Sequence, residues 1–299
     1  MQTDTQRTPG PGPRPRRAFT LIELLVVISI LGLLVSILVP TVGLAKRAAR
    51  VAETQALIHS LQTGLESFKS DGLNSRFLSG DYPESEFVIA MNGPYEGSTP
   101  YTMYGAQSLV LALVGPDLQG TAGFGLSYGA GPPAWTENRY ADDSGYPRFG
   151  PYVDVTGLEI EDPTEDDSKC EMRHVLGAEA EHAPVFLDPF GMPILYYKAD
   201  TSGDTIEEIY QLHQNQPYIA APELEEYSAF AGMEDDDELW TDFVEDDREF
   251  AEDHPYRADS FILLSAGPDK WFGPKPGQDE NLGTDDDEPA DDVANFPVN

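Results

Sequence analysis

The chain has 299 residues, with 53 Asp and Glu against 18 Lys and Arg, so its formal net charge at pH 7 is −35. Proteins that bind nucleic acids neutralise phosphates with Lys and Arg, so this acidity argues against DNA or RNA as a partner. It favours solubility, divalent cations or basic partners instead. The single cysteine, Cys170, excludes an intramolecular disulfide and a zinc site built from several cysteines.

The N-terminal segment combines a basic stretch with a long apolar run. Residues 1–18 are polar and contain four arginines, and residues 19–39 are uncharged except for Glu23. At about 1.5 Å per residue in a helix, these 21 residues span roughly the 30 Å of a bilayer core. Basic residues stay on the cytoplasmic side, so we expect a single-pass protein whose C-terminal part lies outside the cytoplasm. The competing interpretation is a secretory signal peptide, which has a shorter apolar region and a cleavage site of small residues.

Glu23 is the informative residue of the apolar run. A carboxylate within hydrocarbon costs about 2.5–3.5 kcal/mol on insertion scales, so it needs a partner or a task. The alternative is that Glu23 lies near the lipid headgroups, five residues from the basic cluster, at small cost.

The residues around Glu23 carry a resemblance to a known family. The stretch in question is Arg16-Arg17-Ala18-Phe19-Thr20-Leu21-Ile22-Glu23-Leu24. It resembles the processing site of type IV prepilins and type II secretion pseudopilins. The resemblance implies that a membrane-embedded prepilin peptidase cuts between Ala18 and Phe19 and methylates the new terminal amine of Phe19. It also implies that Glu23 pairs with the terminal amine of a neighbouring subunit, which sets the subunit register in a filament.

The helix that starts in the apolar run is predicted to continue to residue 70. Pro40 is expected to kink it, because proline lacks an N–H and clashes with the preceding turn. Beyond Pro40, an apolar face at helical spacing is predicted to pack on a domain, and Asp71-Gly72 is predicted to end the helix. The residues of this face are Leu57, Leu61, Leu65 and Phe68.

The sequence after residue 70 predicts short helices and strands separated by acidic stretches. We predict a short helix over residues 109–114, strands over 184–187 and 194–197 around a turn, a strand over 260–265, and a short helix within 233–253. The predicted organisation is a cleaved leader (1–18), a membrane and filament-core helix (19–39), its amphipathic continuation (40–70) and a globular domain (71–299). Residues 84–183 and 198–259 are interpreted as insertions in that domain.

Three pieces of the globular part resemble the major pseudopilin of type II secretion. One is the turn and strand at residues 188–197, Asp-Pro-Phe-Gly-Met-Pro-Ile-Leu-Tyr-Tyr; another is Asp81-Tyr82-Pro83; the third is the tail, residues 264–269 and 291–296. The resemblance implies an α+β, pilin-like fold, in which a long N-terminal helix packs on a small antiparallel sheet. The same resemblance implies a calcium site. Its ligands would be the carboxylates of Asp269, Asp291 and Asp292 and a backbone carbonyl oxygen near Leu264. Calcium prefers such oxygen ligands in irregular loops. Asp285-Asp286-Asp287 in the intervening loop could compete as ligands, and a solvated acidic tail is the alternative interpretation.

These features predict a structural subunit and no catalytic residues. The five histidines form no metal-spaced pair, and the Gly-rich stretch at residues 123–129 lacks a P-loop lysine. The first hypothesis is a pseudopilus subunit of the inner membrane, with a periplasmic head. Its expected partners are prepilin peptidase, membrane lipid, other pseudopilins and the inner-membrane secretion platform. The alternatives are a subunit of an extracellular type IV pilus, used for adhesion, motility or DNA uptake, and a membrane-anchored enzyme or binding domain.

Overall fold

The computed structural model describes residues 21–71, 81–89, 101–121, 148–177, 180, 183–233, 238–246, 254–275 and 291–297. The chain divides into two compact units, one reaching to Arg47 and the other beginning at Ala48. The boundary falls inside the first helix, α1, which runs from Leu21 to Ser70.

Helix α1 confirms the prediction of one long N-terminal helix. Pro40 does not end it, and the helix stops at Ser70, directly before the predicted Asp71-Gly72 stop signal. In the first unit the hydroxyls of Ser29, Ser36 and Thr41 donate hydrogen bonds to carbonyl oxygens three or four residues earlier. These polar groups are therefore satisfied within the helix, as an apolar environment requires. The expected kink at Pro40 stays a prediction.

In the second unit the described strands form three small antiparallel sheets, with the orders β1–β2, β3–β4 and β5–β6–β7. The strands are β1 (Phe87–Ile89), β2 (Tyr101–Met103), β3 (Glu159–Glu161), β4 (Val185–Leu187), β5 (Leu195–Lys198), β6 (Phe261–Ser265) and β7 (Val293–Ala294). The α-helices after α1 in the described residues are α2 (Gly105–Leu113), α3 (Ile206–Ile209), α4 (Gln216–Ile219) and α5 (Glu238–Val244).

The three-stranded sheet separates two hydrophobic cores, because successive side chains of a strand point to opposite faces. Tyr196 of β5, with Phe261 and Leu263 of β6, belongs to one core. The residues next to them in sequence, such as Tyr197 and Ile262, belong to the other. Every residue of β6 is buried, so this central strand is covered on both faces.

The first core, called here the helix-side core, is built on α1 and α2. The predicted apolar face is confirmed, because Leu57, Leu61, Leu65 and Phe68 are all buried in it. Helix α2 is buried along its whole length. Although α2 lies within the stretch interpreted as an insertion, it supplies a large part of this core.

The second core, called here the insertion-side core, draws mainly on residues 198–259. Trp240 of α5 is fully buried and contacts the rings of Tyr197, Phe230 and Phe243. Its indole N–H donates a hydrogen bond of 2.8 Å to the carbonyl oxygen of Tyr210. The predicted short helix in this acidic stretch is therefore present and anchors a packed core.

The other element predictions are also confirmed. Helix α2, strands β4 and β5, and strand β6 fall on the predicted segments, with ends that differ by at most four residues. The chain is an α+β protein with a long N-terminal helix and small antiparallel sheets, consistent with the pilin-like fold.

Candidate processing segment and carboxylate cluster

Glu23 lies in the first turn of α1, with an exposed side chain. A negative charge at this position is favourable, because the N-terminus of a helix carries partial positive charge. A shallow groove at this end of the helix is lined by Glu23 with the apolar residues Ile22, Val26 and Val27. Ala18 and Phe19, the predicted cleavage residues, lie outside the described residues.

The apolar side chains that follow Glu23 remain uncovered within the chain. From Leu21 to Val39 the large hydrophobic residues are about half or more exposed, with Leu21 at 81%. Among the described residues one helix, α1, is long and apolar enough to cross a membrane. Soluble proteins rarely expose a continuous apolar surface of this length, so the segment requires lipid or another protein around it.

The structure brings together two of the motifs singled out in the sequence. The hydroxyl of Tyr196, on the strand that follows the 188–193 turn, donates a hydrogen bond of 2.6 Å to the carbonyl oxygen of Pro83. Tyr82, next to it, donates from its hydroxyl to Glu66 of α1 at 2.9 Å. The Asp81-Tyr82-Pro83 segment therefore connects α1 to the three-stranded sheet.

Asp188 holds the turn between β4 and β5. One of its carboxylate oxygens accepts hydrogen bonds from the backbone N–H groups of Phe190 and Met192, and the other accepts one from the hydroxyl of Ser265. Burial raises the pKa of Asp188, although these hydrogen bonds act to lower it. Sequence reasoning assigned Asp188 no role beyond the turn motif, because its link to Ser265 spans 77 residues.

The predicted calcium ligands lie around the turn that follows β6. The turn Gly267–Asp269 is a 3₁₀-helical segment, and the carboxylate of Asp269 accepts a hydrogen bond of 2.9 Å from the backbone N–H of Trp271. A Cβ added at Gly267 would lie 2.4 Å from the carbonyl oxygen of Asp291, so glycine is needed for this close approach. The turn after β6 therefore packs directly against the segment that precedes β7.

Asp269, Asp291 and Asp292 form what we call the carboxylate cluster. Burial raises the pKa of Asp269, and the adjacent Asp291 carboxylate raises it further. Asp292 is 9% exposed, and burial raises its pKa well above the ordinary value, with additional repulsion from Asp269 and Asp291. Its Oδ2 accepts a hydrogen bond of 2.9 Å from the N–H of Gly273, whereas its Oδ1 is buried with no hydrogen-bond partner in the described part of the chain.

The burial of these carboxyl groups favours either their protonated form or a neighbouring cation. A buried carboxylate oxygen without a hydrogen bond is destabilising, and a neighbouring cation removes that cost. Within the described ranges, however, no three His, Cys, Asp or Glu side chains converge closely enough to hold a metal by themselves. Backbone oxygens would have to complete such a site, as they commonly do for calcium. Leu264, the predicted carbonyl donor, lies in β6 opposite Leu195 and Ala294, and Asp285–Asp287 lie outside the described residues.

Comparison with known proteins identifies the N-terminal segment. Residues 13–39 match the family model of the prokaryotic N-terminal methylation motif. The match supports a type IV pilin-like chain. It covers the predicted cleavage residues Ala18 and Phe19 together with Glu23, and it favours a prepilin leader over an ordinary secretory signal peptide. No curated protein and no solved structure matches the chain.

The motif and the exposed helix together define the general character of the protein. The motif implies processing by prepilin peptidase and assembly with other pilins, and it indicates a structural subunit. Combined with the apolar first part of α1, it indicates a single-pass anchor in the inner membrane.

Proposed function

We propose that this protein is a structural subunit of a type II secretion pseudopilus, and that it acts by assembling into a periplasmic filament that drives protein secretion. Prepilin peptidase cuts between Ala18 and Phe19, methylates Phe19, and leaves Glu23 as the fifth residue of the mature chain. The observation that carries the proposal is the methylation motif at residues 13–39, followed directly by an exposed apolar helix.

The assembly step follows from electrostatics. After cleavage the terminal amine of Phe19 is cationic, and Glu23 is a carboxylate in an otherwise apolar helix. Each charge is costly in lipid unless it is paired, so pairing between neighbouring subunits favours one register over others. The exposed apolar side chains of α1 then provide the contact area that holds the helices together.

We favour a pseudopilus subunit over a pilus subunit because of features in the globular part of the chain, residues 71–299. The 188–197 turn and strand, the Asp81-Tyr82-Pro83 segment and the carboxylate cluster are the features that resemble a major pseudopilin, and they pack around the same three-stranded sheet. We further propose that the carboxylate cluster binds calcium, with Asp269, Asp291, Asp292 and backbone oxygen near Leu264 as ligands. Bound calcium would neutralise these carboxylates and join the end of β6 to the start of β7.

Assembly is tested with Glu23→Ala in the full chain, expressed together with prepilin peptidase and a pseudopilus assembly system. We expect normal membrane insertion and normal cleavage, shown by mass spectrometry of the mature N-terminus, but loss of most filaments in sheared fractions. Glu53→Ala is the matched control, because Glu53 is an exposed carboxylate on the same helix beyond the apolar run. Filaments of the Glu23 variant at wild-type yield would refute the pairing argument.

Processing is tested separately at the residue before the cut. Ala18→Gly should be cleaved as well as the wild type, because a small residue is kept there, whereas Ala18→Leu should accumulate as uncut precursor. A mature chain that does not begin with methylated Phe19 would contradict the proposed cleavage site.

A type IV pilus subunit, the alternative, is distinguished from a pseudopilus subunit by the process that fails when the protein is deleted. A pseudopilus subunit is required for protein secretion, so deleting it should leave secreted proteins in the periplasm. Normal secretion, with loss of surface filaments, adhesion or motility, would assign the subunit to a pilus instead.

A further inference from the structure

One lysine touches the carboxylate cluster. The ammonium group of Lys275 lies 3.5 Å from Oδ2 of Asp269. Lys270, although adjacent to Asp269 in sequence, pairs instead with Glu171 at 2.8 Å. In the described part of the chain, Lys275 is thus the cation in direct contact with a predicted calcium ligand.

The loop between Asp269 and Lys275 is arranged to bring this ammonium back to the carboxylate. The indole N–H of Trp271 donates a hydrogen bond of 3.1 Å to the carbonyl oxygen of Pro274. The Lys275 ammonium lies 5.8 Å from the centroid of the Trp271 ring, a cation–π contact. The backbone N–H of Trp271 donates to the other carboxylate oxygen of Asp269. The two oxygens of Asp269 are therefore occupied by two groups of the same short loop.

We propose that Lys275 is a tethered cation that competes with calcium for Asp269 and so sets the calcium affinity of the carboxylate cluster. The inference rests on the proposed calcium site and goes beyond it. For Oδ2 of Asp269 to coordinate calcium, the Lys275 ammonium has to leave, because two cations repel each other at this range. Without calcium, Lys275 offsets part of the negative charge of Asp269, Asp291 and Asp292.

The competition has a consequence for how tightly the carboxylate cluster binds calcium. At low calcium the loop stays closed on Asp269 through Lys275, whereas the buried Oδ1 of Asp292 still has no hydrogen-bond partner in the described structure. At high calcium the ion takes the place of the ammonium beside Asp269. Lys275 therefore lowers the calcium affinity of the carboxylate cluster, and removing Lys275 should raise it.

The test is isothermal titration of calcium chloride into the full chain in detergent, comparing the wild type with Lys275→Met. We expect calcium to bind Lys275→Met about three- to tenfold more tightly, a modest factor because Lys275 is partly exposed and its charge is screened. Lys275→Arg keeps the cation and should bind like the wild type. Lys270→Met removes one charge at the neighbouring position, but from a lysine paired with Glu171, and should change the dissociation constant by less than about twofold.

The outcomes separate the role of Lys275 from the existence of the calcium site. Calcium binding to the wild type with no tightening in Lys275→Met would overturn the role of Lys275 and leave the calcium site standing. Equal tightening in Lys270→Met would replace direct competition by a general charge effect, and would also overturn it. Binding only in Lys275→Met would support complete occlusion by the lysine. No binding in any variant would refute the calcium site and this inference together, while leaving filament assembly to the Glu23 test.

Discussion

The two faces of the β5–β6–β7 sheet are covered in different ways. On one face the helix-side core is built on two helices: α1, whose buried apolar residues recur at helical spacing, and α2, which is buried along its whole length. On the other face the insertion-side core is made from short helices and turns between residues 198 and 259. The same two strands, β5 and β6, supply alternate residues to both cores.

The difference shows how a face without long helices can still be well packed. Backbone groups in long helices satisfy one another, whereas those in irregular segments find their partners in turns, in distant backbone or in side chains. In the insertion-side core the indole of Trp240 donates to the carbonyl of Tyr210, and the hydroxyl of Tyr210 donates to the carbonyl of Arg257. The amide of Asn215 bridges both faces, accepting from the N–H of Ala106 and donating to the carbonyl of Tyr196.

The largest effect is expected from Trp240→Ala. It removes a fully buried aromatic side chain and leaves the Tyr210 carbonyl unpaired, so we expect a loss of about 3–5 kcal/mol in the free energy of unfolding. Leu61→Ala, in the helix-side core, is the matched change and should cost about 2–5 kcal/mol. Because both cores share β5 and β6, both variants should unfold in a single transition by circular dichroism. Two separate transitions in Trp240→Ala would show that the insertion-side core is an independent unit.

A smaller loss is expected from Asn215→Ala, which breaks the bridge between the faces. The buried N–H of Ala106 and the carbonyl of Tyr196 would lose their partner. Because alanine leaves room for water to reach them, we expect a total loss of about 1–3 kcal/mol. His213→Ala, an exposed change in the same turn, should shift stability by less than about 0.5 kcal/mol. Denaturant unfolding of the full chain measures the free energy of unfolding of both variants. An equally small loss in Asn215→Ala and His213→Ala would show that Asn215 does not couple the two faces.

The third prediction concerns β7, the edge strand that contacts both cores. Val293 belongs to the helix-side core and Phe296 belongs to the insertion-side core. Two members of the carboxylate cluster, Asp291 and Asp292, immediately precede β7. If calcium binds there, calcium at about 100 times its dissociation constant should add about 2.7 kcal/mol to the stability of the wild type. The double variant Asp291→Ala with Asp292→Ala should lose this gain, while magnesium should not provide it. Equal melting shifts of the variant with and without calcium would refute the metal site.

The smallest effect is the pH dependence in the presence of a chelator. Because burial raises the pKa of Asp292 in the folded state, the stability that its protonated form contributes is present below the unfolded-state pKa and is lost as pH rises through the raised value. Asp292→Asn should therefore be more stable than the wild type at neutral pH, and the advantage should shrink as the pH is lowered. Thermal melting from pH 4 to pH 7.5 measures this difference, and a constant offset across that range would contradict it.

Several elements were predictable because their signals are local. The apolar run ending at Val39 and the face containing Leu61 and Phe68 each follow a short-range pattern, and the strand over 260–265 is a short apolar run. The extent of the insertion-side core was not predictable, because Trp240 finds its partners at Tyr197 and Phe230 only after the chain folds. The link from Asp188 to Ser265 was likewise hidden, since nothing local in the sequence specifies a partner so far along the chain.

By itself the sequence determined the length and apolar character of the first part of α1, the methylation motif at residues 13–39, and the α+β order of elements. Each of these depends on residues that are neighbours in the chain. The tertiary structure alone decided that both faces of β6 are buried and that Asp292 is enclosed beside Asp269. It also decided that Lys275 returns to the carboxylate cluster. Burial and charge pairing depend on which distant segments meet, and only the packed chain brings those segments together.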